Sequence, residues 1–404
     1  DVHLLLHASN ALMLGELTFA CRDLLGWSEQ QVFDMVCGLS PASTEPAQRL
    51  AKLAEMARSR PALRVLLDDP AGAVAKLGAA DPEFEAAFQE YQHDFGDRAV
   101  RYEVIDPTIG EWPELVLRLV RDQIDRPYDP AATAARVASR QAETRAAARA
   151  ALAEQHPAER ERFERLLARA ERYYPVREDN EVWTQSVPLA LVRRALLEVG
   201  RRLAETDTVT EADDIFFLTL DEARQALEGG NRDHTGLVST RRTERALAAA
   251  HPGPPSYGRA PDPPDLSGLP PAAVFVHEAV PWVIDRMIPA AAYARRQDGP
   301  VLEGIAASSG RYTGPVRVVR HEGELERIQP GDVLVCPATS PAWSPVFASI
   351  GALVTDTGGI LSHAAIIARE FAIPTVVATG NATDVFVDGQ TITVDGGAGR
   401  VEVA

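Results

Sequence analysis

Between residues 290 and 300 the chain changes its periodicity, and this change restricts its possible folds more than any other feature. Before it, apolar residues recur at helical spacing, as in ASTEPAQRLAKLAEMARSRPALRVLL (42–67) and PLALVRRALLEVGRRLAE (188–205). After about Gly299 the runs PVRVVR, DVLVCP, ALVTD, PTVVAT, QTITVD and RVEVA are strand-like, with Gly and Pro between them. At 404 residues the chain is also too long for one core. The expectation is a multidomain α + α/β protein, with a mostly helical part over 1–297 and a strand-rich domain over 298–404.

Within the helical part, Ala132 to about Tyr173 is rich in Ala, Arg and Glu and predicts two solvent-facing helices broken at Pro157. Thr219 and Glu222 have the spacing of a capping box. Prolines dominate about 251–271, which predicts an extended linker or surface loop, and a short helical piece follows over 279–296. Asp388-Gly389 marks a tight turn between two strands. No internal repeat is evident. A (β/α)₈ barrel needs eight alternating strand and helix units, and residues 1–297 do not supply them.

A net charge of −17 argues against a nucleic-acid or anionic-membrane partner, and residues 298–404 hold 12 acidic against 6 basic side chains. No apolar run is long enough to span a membrane. The opening DVHLLLHASNALMLGE lacks the basic region of a signal peptide, and the missing initiator Met suits a piece of a longer chain. Cys21, Cys37 and Cys336 have no paired spacing, which suggests buried thiols in a reducing compartment and no metal site. A cytoplasmic protein is expected.

The chemistry concentrates in TDTGGILSHAAIIAREFAIPTVV (355–377). A strand meets Gly358-Gly359, whose missing side chains allow a sharp turn and close backbone approach. Ser362-His363 then opens a helix, so His363 sits at a helix amino terminus, where free amides and the dipole favour an anion. A neutral imidazole is a competent nucleophile near pH 7. His363 is expected to lie exposed, Gly358 and Gly359 to line a phosphate site, and Ser362 either to bind phosphate or to cap the helix. In YYPVREDNEVW, Arg177 has the fork for phosphate and Glu178 could take a proton from a hydroxyl. The alternative there is an exposed charged helix end. Arg193, Arg194 and the acidic run Glu211 to Asp214 read as solvated surface. Trp112, Trp183, Trp282 and Trp343 suit either an apolar pocket or core packing.

The run GGILSHAAIIAREFAIPTVV resembles the mobile phosphohistidine domain of phosphoenolpyruvate-utilising enzymes, a set that includes rifampin phosphotransferase. LEGIAASSGRYTGPVRVV and GDVLVCPATSPAWSPVFASIGALVTD extend the resemblance over about 299–404. It implies a β/β/α swivel domain on flexible tethers, with His363 as the phosphorylated residue. CGLSPASTEPAQRLAKLAE, FGDRAVRYEVIDPTIGEWPELVLRLVR and LVRRALLEVGRRLAETDTVTEADDIFFLTLDEA resemble the helical acceptor region of rifampin phosphotransferase. By that resemblance Arg177-Glu178 is the acceptor-site pair, whereas Asp97 stands where a His is expected and Glu181 where a basic residue is expected. Glu181 could instead serve as acid or base for an elimination. No glycine-rich nucleotide loop occurs, and nothing resembles the family's ATP-grasp domain. ATP and Mg²⁺ are therefore expected through a donor domain outside this chain. The reading is the acceptor and carrier portion of an ATP-dependent phosphotransferase acting on a hydroxyl of a bulky, hydrophobic small molecule, an antibiotic or biosynthetic intermediate. Dehydration is a related outcome, and a non-catalytic binding or regulatory module is the alternative.

Overall fold

Proline opens many of the helices, because its fixed φ suits the first helical position and its missing N–H would be unpaired there anyway. A computed structural model describes residues 2–404 apart from 102, 230–232, 252, 254–257, 259–264 and 290–295. Helix α1 spans Val2–Leu25, α2 Pro41–Arg58, α3 Pro82–Phe95, α4 Pro113–Asp125, α5 Pro130–Ala151 and α6 Pro157–Tyr173. Asp81 and Asp129 cap α3 and α5 by accepting from the amides of Phe84 and Ala132. The segment 42–67 is two helices rather than one, since Pro61 restarts the chain at Pro61–Leu66. Helices α5 and α6 fall where two exposed helices were expected, and α6 turns Phe163, Leu167 and Ala170 inward.

Helix α7 (Val176–Glu181) runs through a π-helical turn (Val182–Ser186) into α8 (Val187–Ala204). Gly200 of α8 lies against a 3₁₀ turn at Ala212–Phe217; a Cβ there would come 2.0 Å from the Ala212 carbonyl oxygen. Thr219 and Glu222 form the expected capping box at the start of Leu220–Leu227. Two solvated-surface expectations fail here. Arg193 is buried, forking onto Glu111 at 2.8 and 2.9 Å and donating to the Val104 and Ile105 carbonyls. Asp214 is buried too, accepting from the amides of Thr210 and Glu211 and pairing with Arg242. Arg194 is exposed as expected and pairs with Asp97.

Most of the proline-rich stretch lies outside the described residues. Helix α9 occupies Pro271–Met287, earlier than the expected 279–296, whose last residues are also outside them. The sheet follows: β1 (Val301–Glu303), β2 (Ile305–Ser308), β3 (Arg311–Val318), β4 (Val333–Cys336), β5 (Ala352–Thr355), β6 (Thr375–Val377), β7 (Thr391–Asp395) and β8 (Arg400–Val403). Their order is β1-β8-β7-β3-β4-β5-β6-β2. Strands β3 to β6 are parallel, and the flanking pairs are antiparallel. Asp388-Gly389 is not a hairpin loop, since β7 pairs with β3; it is a turn leading into β7, with Asp388 accepting from the Val318 amide. Helix α10 (His363–Glu370) connects β5 to β6.

Strands β4 and β5 are buried on both faces, as parallel strands covered on each side must be. One face (Val333, Val335, Ala352, Val354) packs with Val316, Ile392 and Val401. The other (Leu334, Cys336, Leu353) joins α10 and a cluster that continues into Ala47 and Leu50 of α2 and Leu117 of α4. Trp343, Phe347 and Phe371 lie in this continuous apolar layer, so the sheet domain is seated on the helical part. Among the described residues, no helix is long and apolar enough to cross a membrane.

Candidate active site

The residues singled out at Gly358–His363 and Arg177–Glu181 come from the sheet domain and the helical part and meet. Gly358 takes φ +93°, a left-handed value that glycine adopts without strain. Gly359 has almost no room for a side chain, as a Cβ would stand 2.1 Å from the Arg286 carbonyl oxygen. Its amide donates to the Met287 carbonyl at 3.0 Å, and the Leu361 amide donates to that of Arg286 at 2.9 Å. The turn thus satisfies two carbonyls left unpaired at the carboxyl end of α9. The close approach that the glycines allow is made, in this arrangement, to a helix end. Ser362 caps α10, its hydroxyl accepting from the Ala365 amide at 3.4 Å.

His363 is the first residue of α10, but it is not exposed. Its side chain is only 11 % accessible, because α7 lies over it. Nδ1 stands 3.6 Å from a carboxylate oxygen of Glu178, and Nε2 is buried with no hydrogen-bond partner among the described residues. Arg177 donates to the Leu361 carbonyl, and its Nε lies 3.7 Å from the other Glu178 oxygen. Arg177, Glu178 and Glu181 are all buried rather than an exposed helix end. Burial lowers the pKa of Arg177, and the charges of Glu178, Tyr174 and Glu181 offset this only in part. The π-helical turn after Glu181 is a geometry found often at functional sites. Trp183 within it is 69 % exposed, with Leu191 and Val192 also exposed further along α8. Trp343 is core, whereas Trp112 and Trp282 are partly buried at its edges.

Three further groups belong to this neighbourhood, none of them assigned from the sequence. Arg98 is buried, donates to the Ala42 carbonyl at 2.9 Å and feels the charge of Glu178. It follows Asp97, which faces Arg194 instead. Arg369 is fully buried; it donates to the Ala307 and Ile360 carbonyls at 2.8 and 3.0 Å and stacks over Phe33 of the helical part. Glu370 reaches the helical part and accepts from the Gly38 amide at 2.9 Å. Burial pushes its pKa up to about 8; the Glu178 charge adds to this, while the Gly38 and Ser40 amides and Arg369 oppose it. Arg369 and Glu370 were visible as the Arg-Glu end of the motif, but their partners lie far away in sequence.

Comparison with known proteins agrees with this geometry. Residues 328–399 match the family described as PEP-utilising enzyme, mobile domain, and residues 7–178 match the rifampicin phosphotransferase fourth domain. A rifampicin phosphotransferase from a Streptomyces species is 29 % identical over 97 % of this chain and 44 % of its own length. Chondramide synthase of Chondromyces crocatus is 28 % identical over 99 % of the chain and 10 % of itself. An uncharacterised phosphotransferase of Bacillus subtilis is 36 % identical over 59 % of the chain and 27 % of itself. The chain thus spans less than half the length of each of these relatives. It carries the mobile domain of the phosphoenolpyruvate-utilising enzymes. Its helical part carries the fourth domain of the rifampicin phosphotransferases, one of which matches most of the chain.

Proposed function

We propose that this chain is the acceptor and carrier portion of an ATP-dependent phosphotransferase. His363 takes a phosphoryl group at a donor site, and the sheet domain swings to bring it to the helical part. There the group passes to a hydroxyl of a bulky, largely apolar small molecule. ATP and Mg²⁺ belong, in this reading, to an ATP-grasp domain outside this chain. The observation that carries the proposal is the approach of the His363 imidazole, on the sheet domain, to the Arg177-Glu178 pair of the helical part. Phosphoryl transfer asks mainly for positioning and charge neutralisation, which a guanidinium beside the carrier can give. The exposed Trp183, Leu191 and Val192 beyond the pair suit an apolar acceptor. So does the chain's likeness to proteins named for rifampicin and for chondramide.

The test is to incubate the chain with an ATP-grasp partner and γ-labelled ATP. Label should enter the parent, be absent from His363→Ala, and leave the parent when an acceptor is added. Label retained in the alanine variant refutes the carrier role. Mass spectrometry of candidate acceptors then separates a phosphorylated product from a dehydrated one. An elimination is chemically reasonable because Glu181 adds a second buried carboxylate where the family pattern expects a cation.

A further inference from the structure

We propose that Glu178 serves the carrier rather than the acceptor: it holds the His363 imidazole by Nδ1, so that the ring departs from phosphorus as a neutral imidazole. This rests on the carrier reading above and assigns the chemistry of that same site. The two ring nitrogens have different surroundings. Nδ1 faces the Glu178 carboxylate at 3.6 Å, whereas Nε2 is buried and meets no partner among the described residues. A carboxylate beside one ring nitrogen favours the tautomer with the proton there and leaves the lone pair on the other. A nucleophile or leaving group oriented by a third residue is the general arrangement of covalent catalysis. The carboxylate is itself held, since Arg177 stands 3.7 Å from its second oxygen and donates to the Leu361 carbonyl, two residues before His363.

The step balances as follows. The acceptor hydroxyl oxygen forms a bond to phosphorus as the P–Nε2 bond breaks, and that electron pair returns to Nε2. The proton on Nδ1 stays in place, so the ring leaves as imidazole and not as the far more basic imidazolate. The hydroxyl proton goes to another base, the Glu181 carboxylate or water. Glu181 lies three residues further along the same helix, buried and close enough to act on the Arg177 charge. The charged groups that act on the Arg177-Glu178 pair are then Glu181 from α7, Arg98 from the helical part, and Arg369 and Glu370 from the helix of His363.

The test uses the full chain charged with potassium phosphoramidate, which needs no donor domain. Nitrogen-15 spectra of the uncharged imidazole should show the parent protonated at Nδ1. Glu178→Met, similar in shape but without an acceptor, should shift toward the Nε2–H form. Glu178→Gln keeps an acceptor and should retain the parental tautomer. In the charged protein, discharge of phospho-His363 to water should slow by about 10-fold or more in both variants. A parent imidazole protonated at Nε2, or a Met variant with the parental spectrum and discharge rate, would overturn the proposal. A phosphorus-31 phosphohistidine signal surviving in His363→Ala would instead overturn the carrier reading, and the tautomer spectrum would still decide the role of Glu178.

Discussion

Glu370 makes the seating of the sheet domain pH-dependent, and the size of the effect follows from its surroundings. The carboxyl is 3 % exposed and accepts from the Gly38 amide. It faces Glu178, Arg369, Tyr174 and Cys37, and burial raises its pKa from 4.5 to about 8. In an undocked domain it would be solvated and ordinary. A seated pKa above the free one means that seating takes up a proton. The contribution of Glu370 is therefore fully present below about pH 4.5 and is lost as pH rises through about 8. At about 1.4 kcal/mol per pH unit the ceiling is roughly 5 kcal/mol. A cavity of about 270 Å³ beside the carboxyl admits water and lowers this. We expect about 2 kcal/mol, roughly 30-fold in the seating equilibrium, between pH 5 and 9. Burial also raises the Cys37 thiol to about 12 and the Tyr174 hydroxyl higher still, so neither titrates in that window. Small-angle scattering and exchange of the Gly38 amide should show the parent loosening above pH 7. Glu370→Gln, which keeps the acceptor without the charge, should stay seated throughout. A parent indifferent to pH, or a Gln variant with the parent's pH response, refutes the reasoning.

His363→Ala should abolish transfer and cost about 1–3 kcal/mol of unfolding free energy in urea titration, since a nearly buried ring and its approach to Glu178 are lost. Arg177→Ala should lower transfer to the acceptor by about 10²–10³ while a donor domain still labels His363, as followed by filter-bound counts. Gly359→Ala should cost about 1–3 kcal/mol in urea stability, because its Cβ would collide with the Arg286 carbonyl. Arg369→Met should cost roughly 2–5 kcal/mol by the same measure, leaving the Ala307 and Ile360 carbonyls without their donor.

The Gly358–His363 turn was legible because everything that builds it is local: two glycines, a capping Ser, the His and a short helix, all within residues 358–370. Strands β3 to β8 were visible as runs of Val, Ile and Thr. Strands β1 and β2 were not separately visible; they are three and four residues long and exist through pairing with the distant β8 and β6. Arg193 misled for a related reason. On a helix its charge looks solvated, and only the fold brings it Glu111 from 82 residues away. The Gly38 amide beneath Glu370 lies 332 residues from it, with no sequence pattern to mark the pair. Arg177 and Glu178 were found through family resemblance, since an Arg-Glu dipeptide among aromatic residues is otherwise as ordinary as any helix end.

The π-helical turn at Val182–Ser186 holds one residue more than an α-turn would, and a residue is worth about 100° of helical phase. It works as a phase adjuster between two stretches with different obligations. Downstream, α8 is fixed by Gly200 against Ala212 and by Arg193 on Glu111. Upstream, α7 sets Arg177 and Glu178 beside His363. Removing the extra residue would wind the segment back into uninterrupted α-helix and swing the pair by more than a quarter turn while the anchored half stayed put. A length change of a single residue in this stretch would therefore turn the Arg177-Glu178 pair relative to the imidazole without rebuilding a core.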